Sequence, residues 1–285
     1  MQTINRLEML RSSLDALRRN GGTLALVPTM GALHEGHLTL VREARRHADH
    51  VVVSIFVNPR QFGPGEDLDA YPRQLARDAR LLEGEGTAVL WVPEVTEMYP
   101  AGFATEISVA GVSEGLCGDS RAGHFNGVAT VVLKLFNQVQ PDFALFGEKD
   151  WQQLAVIRRL AHDLDLTCPR ADAIIAVPTV READSLALSS RNAYLSADQR
   201  RAAAALPDAM RMMSTALREG REWPSVQAEA VHQLLRAGFD QVEYLELRDG
   251  ESLALLHASA AGARLFAAAR IGGTRLIDNM AVKSA

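Results

Sequence analysis

The run Val51-Val52-Val53-Ser54-Ile55-Phe56-Val57 restricts the fold more than any other stretch of the chain. It is apolar almost throughout and does not alternate, so both of its faces must be buried. Strands of that kind belong to parallel sheets covered by helices on either side. Further runs repeat the signal: Leu24-Ala25-Leu26-Val27, Thr87 to Val92, Phe143-Ala144-Leu145-Phe146, and Ile174 to Val177. Between them lie helical patterns, one through Leu75, Ala79 and Leu82, one from Val128 to Val139, and one from about Asp150 to Asp163. Ile4, Leu7, Leu10, Leu14 and Leu17 recur at helical spacing ahead of Asn20-Gly21-Gly22, which ends that helix. Strands alternating with helices predict an α/β chain with a parallel sheet and right-handed crossovers.

The texture changes after Pro178. A polar loop runs from Arg181 to Asn192, and Ser196 opens a long helix with Gln199 placed to complete a capping box. Pro224 begins another helix. The tail alternates around Val242, Tyr244 and Leu247, then Leu265 to Ile271, then Leu276 and Ile277, with Gly272-Gly273 as a tight hairpin. A smaller helical and antiparallel second domain is therefore expected from about Val180. The alanine-rich patches, Ala202 to Ala205 and Ala258 to Ala269, read as helix and small-residue packing.

Bulk properties exclude some functions. A net charge of −5 over 285 residues leaves no broad basic footprint for nucleic acid. No apolar run is long enough to span a bilayer, so no membrane partner is expected. Arg6, Glu8 and Arg11 interrupt the first apolar residues, so no signal peptide is expected either. Cys117 and Cys168 have neither metal nor disulfide spacing, which makes a cytoplasmic setting the default.

In an open parallel sheet, ligands bind beyond the carboxyl ends of the strands. Four unusual segments begin at such ends: Pro28 to His37, Asn58 to Phe62, Gly147 to Gln153, and Ser189 to Asn192. His34-Glu35-Gly36-His37 places two imidazoles three residues apart at a helix start, where the dipole favours a phosphate. The plainer alternative is a pair of capping histidines. A zinc helix is excluded, because it needs a four-residue step between histidines. Lys149 offers a compact charge for phosphate oxygens, with a solvated surface lysine as the alternative. Arg191 with Ser189 and Ser190 suits a loop that closes over a triphosphate, or simply a capped turn. Asn58 and Gln61 are neutral amides able to orient a carboxylate or hydroxyl. Gln153 lies one helical turn beyond Lys149 and Asp150. No Walker lysine motif, G-x-G-x-x-G or nucleophile elbow is present.

These segments, together with Asp69 to Arg73, Arg121 to Phe125, Val177 to Asp184, Tyr244 to Arg248 and Arg275 to Asn279, closely resemble those of the pantoate–β-alanine ligases. That family lies within the H-x-G-H nucleotidylyltransferases, and the likeness covers essentially the whole chain. It implies a Rossmann-like nucleotide- and pantoate-binding domain over 1–179 and a smaller C-terminal lid domain over 180–285. ATP would be bound by Met30, Gly31, Ala32, Leu33, His34, Glu35, Gly36 and His37, by Gly147, Glu148, Lys149 and Asp150, by Val180 against adenine, and by Leu188, Ser189, Ser190 and Arg191. His37, His34, Lys149 and Arg191 would act in catalysis. Gln61 and Gln153 would hold pantoate, with Asn58, Tyr71 and Arg121 at the rim. Asp78 would help to place Mg²⁺. Ser185 stands where the family pattern has Gly.

The implied reaction joins (R)-pantoate to β-alanine. Pantoate is first adenylated by ATP, and the amine then displaces AMP. A homodimer is also implied. Two rivals remain at this level: another H-x-G-H adenylyltransferase making an adenylylated cofactor, and a non-catalytic nucleotide-binding module.

Overall fold

The computed structural model describes residues 1–282. The chain divides into two compact units, one of Met1–Glu148 with Gln152–Pro178, the other of Lys149–Trp151 with the chain from Thr179 onward.

Six parallel strands form the sheet of the first unit: β1 (Gln2–Ile4), β2 (Leu24–Thr29), β3 (His50–Ile55), β4 (Val89–Trp91), β5 (Phe143–Gly147) and β6 (Ile174–Val177). Their order is β1-β4-β3-β2-β5-β6. The helices are α1 (Leu7–Arg18), α2 (Glu35–His47), α3 (Leu75–Gly84), the single turns α4 (Val95–Met98) and α5 (Cys117–Ser120), α6 (His124–Val139) and α7 (Trp151–Asp163). The strand residues Ala25, Val27, Val51, Val53, Leu90 and Leu145 bury one face against Leu40, Val41 and Ala44 of α2 and Leu82 of α3. Their neighbours Leu24, Leu26, Val52 and Trp91 point the other way and are also fully buried. On that side α6 packs on β2 and α1. The continuous apolar strands are thus explained by helices on both faces. Strand order reverses at β2, so the carboxyl ends of β2 and β5 flank the crevice where such sheets bind ligands.

Three features differ from the sequence expectation. Ile4 does not belong to α1; it sits in β1, an edge strand paired with β4. It shares the helical phase of Leu7 and Leu10 by coincidence of spacing. Helix α6 begins at His124 rather than Val128, after Gly123 in the left-handed region at φ 77°. The third expected strand shortens to Val89–Trp91.

The second unit carries an antiparallel sheet, β7 (Gln241–Asp249), β8 (Ala263–Ile271) and β9 (Thr274–Ala281), in the order β7-β8-β9. Helices α8 (Ala197–Ala203), α9 (Ala205–Arg218) and α10 (Trp223–Arg236) complete it. Met210 and Met213 of α9, Val226 and Leu234 of α10, and Leu247 and Leu265 of the sheet form its core. Ser196 and Gln199 make the reciprocal capping bonds, at 3.3 and 2.9 Å. The long helix expected from Ser196 is broken at Ala204, because Pro207 has no N–H to give to the Ala203 carbonyl. Gly272 and Gly273 have φ of 56° and 78°, as a two-residue hairpin turn between right-twisted strands requires. Of the second alanine-rich patch, residues 258–262 form a loop and the rest is strand, not helix.

Candidate active site

Within the first unit, the loop after β2 is shaped by backbone that faces inward. Gly31 and Ala32 both take left-handed conformations, at φ 85° and 51°. A Cβ at Gly31 would lie 3.1 Å from Ile55 Cγ2 and 3.2 Å from Asp78 Oδ2, so tight space and the dihedral both favour glycine. Asp78, on α3, is fully buried, and its two oxygens accept the N–H groups of Ala32 at 2.8 Å and Leu33 at 2.9 Å. These bonds give Asp78 a bracing role beside the one expected of it toward magnesium. Each carboxylate oxygen holds one backbone N–H of the loop in place.

His34 is the N-cap of α2. Its Nδ1 accepts the Gly36 N–H at 3.2 Å, while Nδ1 of His37 accepts the His34 N–H at 3.3 Å. The rings lie 4.1 Å apart. Gly36 leaves room for the first ring, since a Cβ there would fall 2.9 Å from His34 Cε1. Because a backbone N–H can only donate, each neutral ring carries its proton on Nε2. The donors expected to be open at this helix start are therefore partly used. The capping and phosphate-binding readings of the two histidines fall on different ring atoms and are compatible. Glu35 pairs with Arg42 at the surface.

The second strand-end loop fixes an amide. Asn58 is buried; its Oδ1 accepts from Arg60 N–H at 3.2 Å and from the Tyr99 hydroxyl at 2.8 Å. Its Nδ2 then donates to Gln61 Oε1 and to the Gly127 carbonyl, both at 3.1 Å. Burial pushes the Tyr99 phenol up to about 12, so it remains a donor at neutral pH. With Oε1 engaged, the working end of Gln61 is its NH₂ group, which lies 2.9 Å from Met30 Sδ, a weak acceptor. Gly127 lets α6 lie against the turn that carries Gln61, because a Cβ there would lie 2.2 Å from the Arg60 carbonyl oxygen. The resemblance places Asn58 against substrate. All four of its hydrogen-bonding positions are filled by protein, so it orients Gln61 instead.

Arg121 departs from its expected rim role in the same way. It binds Glu66 through two nitrogens, at 2.8 and 2.6 Å, reaches His124 Nε2 at 2.9 Å and the Gln61 carbonyl at 3.3 Å. A guanidinium only donates, so His124 Nε2 accepts and its Nδ1–H donates to the Gln61 carbonyl at 2.8 Å. Burial alone would raise the Glu66 carboxyl, but Arg121 outweighs it and holds it below the ordinary range. Tyr71 is buried, its ring meeting Phe62 edge-on at 6.0 Å, rather than standing at a rim.

At the end of β5, Gly147 pairs with Val177 of β6, and a turn follows over Glu148–Asp150. On α7, Gln153 is half-buried. Its neighbour Gln152 is buried and holds the loop before α5: Oε1 accepts from Cys117 N–H at 3.0 Å, and Nε2 reaches the carbonyls of Val112, Glu114 and Gly115. Sequence reasoning missed Gln152, Tyr99, Glu66 and His124. His124 and Gln152 each carried a signal, their places in the Arg121–Phe125 and Gly147–Gln153 segments.

The cationic groups belong to the second unit. The Lys149 carbonyl accepts from Asn279 Nδ2 at 3.0 Å, and its ammonium lies 3.9 Å from the Asp150 carboxylate. Trp151 donates from Nε1 to the Gly250 carbonyl at 2.6 Å, and the Arg264 guanidinium stacks 3.4 Å from its ring centre. Residues 180–188 fold into a small hairpin, with Leu188 N–H bonded to the Val180 carbonyl at 3.0 Å and Glu182 N–H to that of Leu186 at 2.8 Å. Arg181 grips Asp278 through both terminal nitrogens, at 2.7 and 2.8 Å, which raises the Arg181 pKa further. Arg200 ties Glu182 and Asp184 to α8, at 2.7 and 2.6 Å. Ser189 Oγ accepts the Arg191 N–H at 3.3 Å and starts the turn Ser190–Tyr194. Ser185 sits at φ 70°, which explains why Gly fits that position.

The site residues therefore fall into two groups. The loop of residues 30–37, Gln61, Gly147, Glu148 and Gln153 lie in the first unit; Lys149, Asp150, Val180 and Leu188 through Arg191 lie in the second. No helix among the described residues is long and apolar enough to cross a membrane.

Residues 2–281 match the family model described as pantoate–β-alanine ligase. The pantothenate synthetase of Novosphingobium aromaticivorans is 65% identical over 283 residues, 99% of each chain. That of Sphingopyxis alaskensis is 58% identical, over 99% of this chain and 100% of its own. Among solved structures, the pantothenate synthetase of Thermus thermophilus superposes with a TM-score of 0.89 at 46% identity, covering 99% of both chains. The pantoate–β-alanine ligase of Francisella tularensis, complexed with β,γ-ATP and β-alanine, gives 0.84 at 32% identity, over 100% of this chain and 99% of its own. Matched along its whole length in sequence and in fold, the chain belongs to the pantoate–β-alanine ligase family.

Proposed function

We propose that this chain condenses pantoate with β-alanine at the expense of ATP, through a pantoyl-adenylate, releasing AMP and pyrophosphate. The full-length family match carries the reading. The geometry of the chain's own residues accounts for the chemistry. A carboxylate cannot lose oxide to an amine at neutral pH, so it must first acquire a better leaving group. The NH₂ end of Gln61, oriented by Asn58 and Tyr99, suits a carboxylate or hydroxyl oxygen of pantoate. Gln153 supplies a second amide for the same substrate. Attack on the α-phosphorus spreads negative charge over the phosphates. The Nε2–H groups of His34 and His37, the Lys149 ammonium and the Arg191 guanidinium are the donors assigned to stabilise it. The β-alanine amine then attacks the acyl carbonyl and AMP departs. No covalent enzyme intermediate is required.

Roles follow for the two units: nucleotide and pantoate binding for the first, and for the second a lid carrying phosphate ligands that keeps water from the adenylate. Among the described residues no three His, Cys, Asp or Glu side chains cluster into a metal cage, and both Asp78 oxygens accept backbone N–H groups. That fits a Mg²⁺ ion held chiefly by ATP phosphates, where it neutralises charge. A cytoplasmic homodimer completes the proposal, the compartment supported by a buried Cys117 and an exposed Cys168, neither in a disulfide.

Isotope exchange tests this. Labelled pyrophosphate should enter ATP when pantoate is present without β-alanine, and amide should form once β-alanine is added. A cofactor adenylyltransferase would release pyrophosphate without dependence on pantoate and would consume no amine. Absence of exchange would leave only nucleotide binding.

A further inference from the structure

Two adjacent residues of β9 hold both of the second unit's phosphate-binding segments. Asp278 and Asn279 are almost completely buried, at 3% and 4% exposure. They belong to the Arg275–Asn279 segment, to which the proposed reaction gives no role. We propose that Asp278-Asn279 is a positioning dipeptide for ATP. In this reading Asn279 sets the place of Lys149, and Asp278, through Arg181, sets the hairpin that presents Leu188 to Arg191. The inference rests on the assignment of Lys149 and Arg191 to the phosphates.

The bonding dictates this direction of influence. The Asn279 Oδ1 accepts from Arg264 Nη1, so its Nδ2 is the donor to the Lys149 carbonyl, at 3.0 Å. Arg264 in turn stacks on Trp151, two residues beyond Lys149. One amide thus fixes Lys149 by its backbone and Trp151 by way of a cation. Lys149 lies in a single turn of 3-10 helix, which has few bonds of its own to hold a long side chain in place. Asp278 spans the other segment. Its carboxylate accepts both Arg181 terminal nitrogens and the Asn279 N–H at 2.8 Å. Arg181 Nη1 also donates to the Ser185 carbonyl at 3.0 Å, across the hairpin. A buried carboxylate with this many donors is costly to disturb, and its neighbour shares the strain of any shift. Because the two residues are consecutive on one strand, a displacement of β9 moves both segments together.

A double-mutant cycle decides the matter. Asn279→Asp removes the donor to Lys149 and keeps an acceptor for Arg264; Asn279→Ala removes both. Each should lower the rate of pantoate-dependent pyrophosphate release about 10-fold and raise the KM for ATP, with the KM for pantoate unchanged. In a Lys149→Ala background the same changes should cost less than about 2-fold, because the residue through which they act is gone. Equal losses in both backgrounds, or equal rises in both KM values, would overturn the proposal and reduce Asn279 to a structural residue. If Lys149→Ala itself leaves turnover intact, the fault lies with the phosphate assignment of Lys149. Asn279→Asp preserves size and the Arg264 pair, so it keeps the test open should Asn279→Ala melt early in a thermal-shift assay.

Discussion

The two units hold their functional side chains by different means. In the first, backbone does the holding: Asp78 binds two N–H groups of the loop after β2, the imidazoles of α2 cap their own helix, and Asn58 and His124 fix Gln61 from both ends. Asp78, Asn58 and His124 are buried, and of the three only Asp78 is charged. In the second, ion pairs dominate, Arg181 with Asp278 and Arg200 with Glu182 and Asp184, several of them near solvent. Neutral buried networks are insensitive to salt, whereas exposed pairs are screened. The contrast suits the proposed roles, in which the first unit holds pantoate and the nucleotide on fixed donors and the second adds charge for the phosphates. A small hydroxy acid needs a rigid template of fixed donors; a triphosphate needs charge on a segment that can adjust.

Four substitutions would break or sharpen this contrast. The largest effect is expected for Lys149→Ala, which should lower kcat by about 10²-fold, the scale for loss of one electrostatic donor. Circular dichroism should show the fold intact; near-normal turnover would remove Lys149 from the mechanism. Gln61→Ala should weaken pantoate by about 1.5–3 kcal/mol, the worth of hydrogen bonds to a charged group, while ATP binding survives. Calorimetry finding equal losses for both ligands would contradict the template role. Asp78→Asn sets an NH₂ donor against a backbone N–H in a buried place and should cost about 1–3 kcal/mol of stability in urea. Because the loop of residues 30–37 depends on it, ATP affinity should fall as well. The smallest effect belongs to Ser185→Gly, which relieves a left-handed non-glycine residue. Relief of about 1 kcal/mol is offset in part by the freer unfolded chain, leaving a rise in stability of a few tenths. A fall in melting temperature would mean that the Ser185 side chain contributes something the backbone does not reveal.

The sequence carried most of the sheet because buried parallel strands leave an unbroken apolar run, as β2, β5 and β6 do. It carried the start of α8 and the β8–β9 hairpin because capping boxes and Gly-Gly turns are local. It did not carry β1, whose few residues become a strand only by pairing with β4, far along the chain. The break between α8 and α9 has a local cause in Pro207, a proline inside an otherwise helical pattern. At the site, residue types were legible and their division of labour was not. Asn58, Arg121 and Asp78 are polar residues of the kind that bind ligands, and only their partners show that they brace neighbouring groups proposed to do so. A side chain buried by a distant loop looks the same in sequence as one facing a substrate.

Trp151 has a consequence for how the molecule can be divided. Lys149–Trp151 is counted with the second unit although both its flanks belong to the first. The polypeptide therefore crosses between the bodies three times, after Glu148, after Trp151 and after Pro178. A fragment begun at Thr179 would be born without the indole that Arg264 and Gly250 enclose, and would leave an uncovered guanidinium beside β8. The C-terminal body is no cassette to be excised or grafted; its last piece is delivered from the middle of the other.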